Sequence, residues 1–282
     1  MMPPIFHFDQ ALVRTPAATV AHGLRAVDRG APGRDGVQRE LDAYVAALRA
    51  AEVNVEILEA LDAFPDSIFI EDPALVFGNG AILLRPGAPS RFGEAAAIAP
   101  VLRRRFDTVL ELDEGFVEGG DVLVTPDLVL IGLSERTTGP GAEALKLLLE
   151  QLGRRGEIVS TPPGVLHLKT DCSLLDEQTI LATSRLAGSR AFQRYRVIVT
   201  PGGEEAAANA LRVNDRVFLG DRFPRTADRL NAAGYEVVLL ENTQIALLDA
   251  GFSCLSLRWE ARRGEDYESS TSMPPTTFAT RL

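Results

Sequence analysis

Four times along this chain a pair of short apolar runs is joined by a tight polar turn, and few folds can absorb such a repetition. "SIFIEDPALVFGNGAILLRP" gives two β-rich runs, the first starting in "SIFIED", with Gly-Asn-Gly near the second, and "GGDVLVTPDLVLIGLS" turns at Pro126-Asp127. "CSLLDEQTILA" turns across Asp176 to Gln178, and "LRVNDRVFLG" turns at Asn214-Asp215. Each run has roughly 4–6 residues, the usual length of a hairpin strand, and these turn residues tolerate tight backbone geometry. Helical patterns separate the hairpins. Leu41, Val45 and Leu48 recur at helical spacing in "GVQRELDAYVAALRAAEV". A second helix is predicted to start after Gly139-Pro140-Gly141 and to stop at Gly153; a third, in "PRTADRLNAAGYEVVLLE", ends at Gly234 and gives way to a strand. No such unit buries its own apolar face, so the units have to close around a common centre. An α/β propeller with pseudo-symmetry fits this pattern, and so does an ordinary α/β sandwich.

At 282 residues and 46% hydrophobic, the chain can bury a substantial core. No linker rich in Gly, Ser or Pro divides it. The expected organisation is one domain over residues 1–259, followed by a polar, aperiodic and disordered tail over 260–282. Thirty-nine acidic residues against 29 basic ones argue against a nucleic-acid partner, which needs a basic footprint. The two cysteines show neither CxxC nor zinc spacing. No segment resembles a signal peptide, and no run approaches the ~20 apolar residues of a membrane span. A cytoplasmic protein with reduced thiols and no membrane partner is expected.

Chemistry-bearing residues are few. Of three histidines, His7 and His22 lack polar company and read as structural, whereas His167 stands in "GVLHLKTDCS" beside a Lys-Thr-Asp cluster. Cys254 falls in a β-rich segment near the C-terminus, "GFSCLSLRWE", while Cys172 reads as packing in a strand of the third hairpin. A cysteine nucleophile needs a proton donor and acceptor near neutral pH, and imidazole supplies one. Turn chemistry explains Asp121 and Asp66, but it explains the adjacent Glu71-Asp72 poorly, and Glu118 precedes Gly-Gly and a strand. Buried carboxylates need a partner, which a bound cation would provide. Arg91 and Arg136 stand in loops after strands, as solvated residues or as a fork for a carboxylate.

In this order, "FPDSIFIEDPAL", "LLRPGAPSRFGE", "EGGDVLV", "IGLSERT", "LHLKT" and "GFSCLSLR" resemble the motifs of the dimethylarginine dimethylaminohydrolase family, within the guanidine-modifying superfamily. The resemblance runs from Val13 to about Trp259. It implies a pseudo-fivefold α/β propeller of ββαβ units and a single catalytic domain. It implies Cys254 as nucleophile and His167 as general acid and base. Asp72 and Glu118, with Glu71 beside them, would hold the substrate guanidinium. Asp66 and the Leu24 backbone would meet its α-amino group, Arg91 and Arg136 would clamp its carboxylate, and Leu248 would line the pocket. Phe92, where a second basic residue commonly follows Arg91, and the stretch Asp249 to Phe252 depart from the family pattern.

The implied reaction is hydrolysis of an Nω-methylated L-arginine to L-citrulline and methylamine or dimethylamine through a thiouronium adduct, with no metal or organic cofactor. The partner is a small cationic amino acid, and the only macromolecular partner allowed for is a second copy of the chain. A thiol near two carboxylates is expected to have a raised pKa that a bound guanidinium reverses. An arginine deiminase-like hydrolase is the nearest alternative. Those enzymes usually carry an aspartate two residues after the histidine and an arginine before the first aspartate, where this chain has Lys169 and Glu71. A non-catalytic binder of arginine derivatives is the other alternative.

Overall fold

The computed structural model describes residues 6–261. Its strands are β1 (Gln10–Arg14), β2 (Asn54–Leu58), β3 (Ala74–Phe77), β4 (Gly80–Leu83), β5 (Val109–Glu111), β6 (Val122–Val124), β7 (Val129–Leu133), β8 (Gly156–Ser160), β9 (Cys172–Asp176), β10 (Thr179–Ala182), β11 (Arg196–Val199), β12 (Leu211–Val213), β13 (Arg216–Gly220), β14 (Glu236–Leu240) and β15 (Leu257–Trp259). The α-helices are α1 (Arg34–Ala50), α2 (Glu94–Arg103), α3 (Gly139–Gln151) and α4 (Pro224–Ala232).

Among the described residues the strands form five three-stranded sheets, ordered β15-β1-β2, β3-β4-β5, β6-β7-β8, β9-β10-β11 and β12-β13-β14. In each, the middle strand pairs antiparallel on one side and parallel on the other. The antiparallel pairs in the last four sheets are the hairpins expected from the turns. The parallel pair needs a longer crossover, which a helix supplies in four of the five sheets. Between β10 and β11 the crossover is a short 3₁₀ turn, Arg190–Phe192, instead. The first sheet joins the chain ends, since β15 pairs with β1 at Gln10↔Trp259.

Three local expectations need correction. The helix α2 was not among the predicted elements, because its alanine-rich sequence has weak periodicity and Pro100 lies inside it. Burial of Ile98, Ala99 and Leu102 on the core outweighs the lost backbone bond. The helix α3 starts at Gly139 rather than after Gly141. Thr138 caps it by accepting from Gly141 N at 3.3 Å, and Pro140 sits where a missing N–H costs nothing. The run "SIFIED" is not strand: Ser67 to Asp72 is a series of turns, and β3 begins only at Ala74. As for the expected tail, Glu260 and Ala261 are ordered against the domain, Ala261 N donating to Asp9 Oδ1 at 2.7 Å; residues 262–282 lie outside the described residues.

One aromatic stack anchors the segment that matters most. Tyr44 on α1 stacks on Phe252 with centroids 5.9 Å apart, and meets Phe218 edge-on at 6.0 Å. Its hydroxyl reaches Ser256 Oγ at 2.5 Å. Phe252 and Ser256 flank Cys254, so burial of this stack, worth ~1.5–3 kcal/mol per aromatic ring, also fixes the cysteine turn. Asn214, in the left-handed region at φ 53°, accepts from Phe8 N at 2.8 Å and donates to Ala51 O at 2.6 Å, tying the last hairpin to the first sheet. No described helix is long and apolar enough to cross a membrane.

Candidate active site

Five segments outside the regular strands converge on one small cavity. Asp66, Phe69 and Asp72 come from the turns before β3, and Arg91 from the 3₁₀ turn Pro89–Arg91. Glu118 comes from the chain before β6, His167 from the chain before β9, and Cys254 from the 3₁₀ turn Phe252–Leu255 before β15. Leu24, Arg136 and Leu248 complete the sequence-derived set around a volume of about 40 Å³. Cys254 therefore sits in a tight turn, not in a strand.

Glycines make this convergence possible. A Cβ on Gly120 would fall 2.7 Å from the His167 ring and 3.2 Å from Asp72 Oδ1. One on Gly119 would lie 2.0 Å from the Glu71 carbonyl. The Gly-Gly after Glu118 is thus a requirement of close approach.

Glu118, 1% exposed, is the most connected carboxylate of the site. Its Oε2 lies 2.7 Å from His167 Nε2, and its Oε1 accepts from the backbone N–H groups of Gly87 and Ala88 at 3.1 and 3.2 Å. Arg136 Nη1 approaches the same oxygen at 3.6 Å. Burial alone disfavours a charged His167, but its hydrogen bond to Glu118 and the charges of Asp72, Asp121 and Glu118 outweigh it and raise the imidazole pKa. Burial likewise works against an ionised Asp72; Arg91, His167 and the Gly120 N–H overcome it and hold this carboxyl below its usual value.

Burial pushes the Cys254 thiol up to about 11, with Asp72 and Glu71 adding to the rise. The expected direction is correct, although desolvation and not like charge is the leading cause. Cys172 is fully buried, its Sγ 3.3 Å from the Leu168 carbonyl, and burial raises its pKa as well.

Glu71 departs from its expected place. Its side chain lies away from the cavity and pairs with Lys169 Nζ at 2.7 Å and Arg258 Nη2 at 3.1 Å. It lines a separate cavity of about 1170 Å³ instead. Counter-charge explains this: Lys169 and Arg258 hold the buried Glu71 carboxylate away from the Asp72 cavity. The cationic partner expected for the two carboxylates is also internal, Arg91 for Asp72 and Lys169 with Arg258 for Glu71. Arg91 is 4% exposed and so is neither solvated nor in an open loop.

Sequence reasoning passed over two contributors, Asp121 and Asp249. Asp121, assigned to turn chemistry, is fully buried, accepting from Ser134 Oγ at 2.6 Å and Leu168 N at 2.9 Å, and so pins the residue after His167. Asp66, expected beside the Leu24 backbone, does more than turn the chain: it accepts from Leu24 N at 2.9 Å, and burial raises its pKa. Asp249, at φ 55°, lines the cavity with Ala250 and accepts from Ala26 N at 2.6 Å. A polar residue amid "LLDAGF" was the available signal. Phe92 is 52% exposed and stacks on Phe116 at 5.8 Å, outside the cavity lining.

Asp72, Glu118 and His167 bring donor atoms within 4.8 Å of one another, the spacing of a metal trio, but each is already paired within the protein, Asp72 to Arg91 and Glu118 to His167. Around the cavity stand Asp66, Asp72, Glu118 and Asp249 against Arg91 and Arg136, with His167 titrating. The acidic excess suits a flat organic cation, and the two guanidinium groups suit a carboxylate on the same molecule.

Comparison with known proteins agrees with this chemistry. Residues 38–210 match the family model described as arginine deiminase. An N(G),N(G)-dimethylarginine dimethylaminohydrolase from Pseudomonas aeruginosa is 35% identical over 89% of this chain and 100% of its own. The enzyme of that name from Streptomyces coelicolor is 34% identical over 88% of this chain and 96% of its own. A solved mutant of the Pseudomonas aeruginosa protein, complexed with citrulline, superimposes with a TM-score of 0.86 at 34% identity, covering 90% of this chain and all of that one.

Proposed function

The chain belongs to the dimethylarginine dimethylaminohydrolase family, and from this premise we infer that it hydrolyses Nω-methylated L-arginine to L-citrulline and methylamine or dimethylamine. It is an amidine-hydrolysing enzyme. One observation carries the residue assignment: Cys254, His167, Asp72, Glu118, Asp66, Arg91, Arg136, Leu24 and Leu248 line a single cavity. The five sheets are taken as blades of a pseudo-fivefold propeller, because β15 returns to β1 and the turns that carry the site residues meet at one cavity.

Asp72 binds the substrate guanidinium and brings its central carbon to Cys254. The cation lowers the cost of ionising a thiol that burial holds near 11, and the thiolate adds to that carbon. His167, charged and fixed by Glu118, donates its proton to the departing amine, which cannot leave as an anion. A thiouronium adduct on Cys254 remains. Neutral His167 then takes a proton from water, the hydroxide adds to the adduct carbon, and collapse breaks the C–S bond, the hydroxyl proton passing to the departing Cys254 sulfur, which leaves citrulline and the thiol. No step calls for a metal or an organic cofactor. Asp66 and the Leu24 carbonyl side of the cavity are assigned to the α-amino group, and Arg91 with Arg136 to the α-carboxylate. Glu71 enters only from behind, through Lys169 and Arg258. A cytoplasmic location, with both cysteines free, belongs to the same reading.

Citrulline release from asymmetric dimethylarginine, monomethylarginine and arginine, with wild type and Cys254→Ser, tests this. Turnover of the methylated substrates, lost in the variant, is expected. Turnover of arginine alone would move the protein to the deiminase activity named by the family model. Lys169 weighs against that outcome, since it is engaged by Glu71 and adds no carboxylate to the cavity.

A further inference from the structure

Arg91 is tied down along one edge and singly held at the other. Its Nε donates to both Glu94 oxygens at 3.1 Å, and its Nη2 donates to Glu94 Oε2 at 2.7 Å. Nη2 also reaches the carbonyls of Phe69 at 2.9 Å and Asp66 at 3.3 Å. Nη1 has one partner, the Asp72 carboxylate. Glu94 opens α2 directly after Gly93, whose φ of 108° turns the chain inward, and is 2% exposed. Among the described residues its carboxylate bonds to Arg91 alone. A carboxylate so deeply buried is costly unless it is paired, so Glu94 is committed to this one guanidinium.

The difficulty is steric and electrostatic together. Arg91 Nη1 already occupies Asp72, the group assigned to the substrate guanidinium. The cavity, at about 40 Å³, has room for a few waters and not for an amino acid. Substrate entry therefore requires Nη1 to leave Asp72 while Arg91 stays in place to meet the incoming carboxylate.

We propose that Glu94 is a positioning residue for substrate binding: it anchors the Nε and Nη2 edge of Arg91 while Nη1 passes from Asp72 to the α-carboxylate of the bound amino acid. This rests on the methylarginine reading of the cavity. Two donors held on one carboxylate fix that edge of the planar guanidinium, so Nη1 leaves Asp72 only by a small tilt of the plane about the held edge and stays within the cavity. Without the Glu94 charge, Asp72 becomes the only carboxylate partner of Arg91. The arginine then competes with substrate for the guanidinium position. The reacting groups Cys254, His167 and Glu118 are untouched, so the cost falls on binding and not on chemistry.

Burial pushes the Glu94 carboxyl up to about 7 against the pull of Arg91, with Asp72 and Asp66 adding to the rise; Arg14 on β1 is the other charge that acts on it. Assays at about pH 8.5 keep it ionised. Wild type, Glu94→Gln and Glu94→Asp are compared on monomethyl-L-arginine. In Glu94→Gln, KM should rise at least ~10-fold with kcat within about 3-fold of wild type. Glu94→Asp, one methylene shorter and still charged, should give an intermediate KM. An unchanged KM, or kcat falling in step with kcat/KM, would overturn the proposal. Should Glu94→Gln fail to fold, the Glu94→Asp comparison decides on the same split. If wild type turns over no methylated substrate, the function fails and the proposal is read separately, from calorimetric binding of L-arginine to the wild-type and Glu94→Gln proteins. Glu94→Gln should then need at least ~10-fold more arginine for half-saturation, and an equal requirement would overturn it.

Discussion

His167 Nε2 lies 2.7 Å from Glu118 Oε2, and the other oxygen of that carboxylate is held by the backbone of Gly87 and Ala88. The imidazole is thereby oriented by a group that is itself immobile, and its charged form is favoured despite burial. Four consequences can be measured.

Glu118→Gln removes the charge that stabilises the imidazolium while keeping the shape of the side chain. The His167 pKa is raised in the protein, so losing Glu118 lowers it. The acid form that donates to the leaving amine then disappears at lower pH. The alkaline limb of the kcat profile should move toward acid, and kcat should fall roughly 10²-fold or more. An alkaline limb unmoved by the substitution would show that Glu118 does not set the His167 charge.

Cys254→Ser should abolish turnover with Tm close to wild type, since the exchange is near-isosteric. Cys172→Ser should keep turnover and lose stability, by about 1–3 kcal/mol, because a hydroxyl is placed in a fully buried site with one carbonyl for a partner. Reversal of these two phenotypes in citrulline assays and thermal melts would reassign the nucleophile.

The Cys254 thiol should stay protonated at neutral pH in the free protein and ionise only as pH approaches about 11. A non-reactive guanidine in the cavity offsets the negative charge of Asp72 and should move that midpoint toward neutral pH. The difference in ultraviolet thiolate absorbance between wild type and Cys254→Ser, with and without the guanidine, measures this directly. Coincident titration curves would defeat the idea.

Gly120→Ala places a methyl group 2.7 Å from the His167 ring and 3.2 Å from Asp72 Oδ1. The ring must shift from its place beside Glu118. A displacement of this kind should cost kcat ~10²-fold with a modest loss of Tm. Near wild-type kcat would mean that the ring is free to move without penalty.

Much of the architecture was legible because turns and periodicity are local. Asn214-Asp215 and Pro126-Asp127 mark hairpins that the structure contains, and Gly234, at φ 92°, ends a helix as its composition suggested. The helix α2 escaped notice because its stability comes from contacts with the core and not from its own pattern. Asp121 was mistaken for a turn residue for the same reason: its carboxylate serves Leu168 N, 47 positions away.

The candidate site divides along the same line. The residue types and their order, with Cys254, His167, Glu118 and Asp72 in named motifs, are properties of the chain, and they were enough to identify the chemistry. Sequence alone could not tell which way each side chain faces. Glu71 and Asp72 are adjacent and chemically alike, yet one meets Lys169 and Arg258 behind the site and the other meets Arg91 within it. That choice depends on partners from distant segments brought together by five sheets, because a buried charge settles wherever the fold provides its counter-charge.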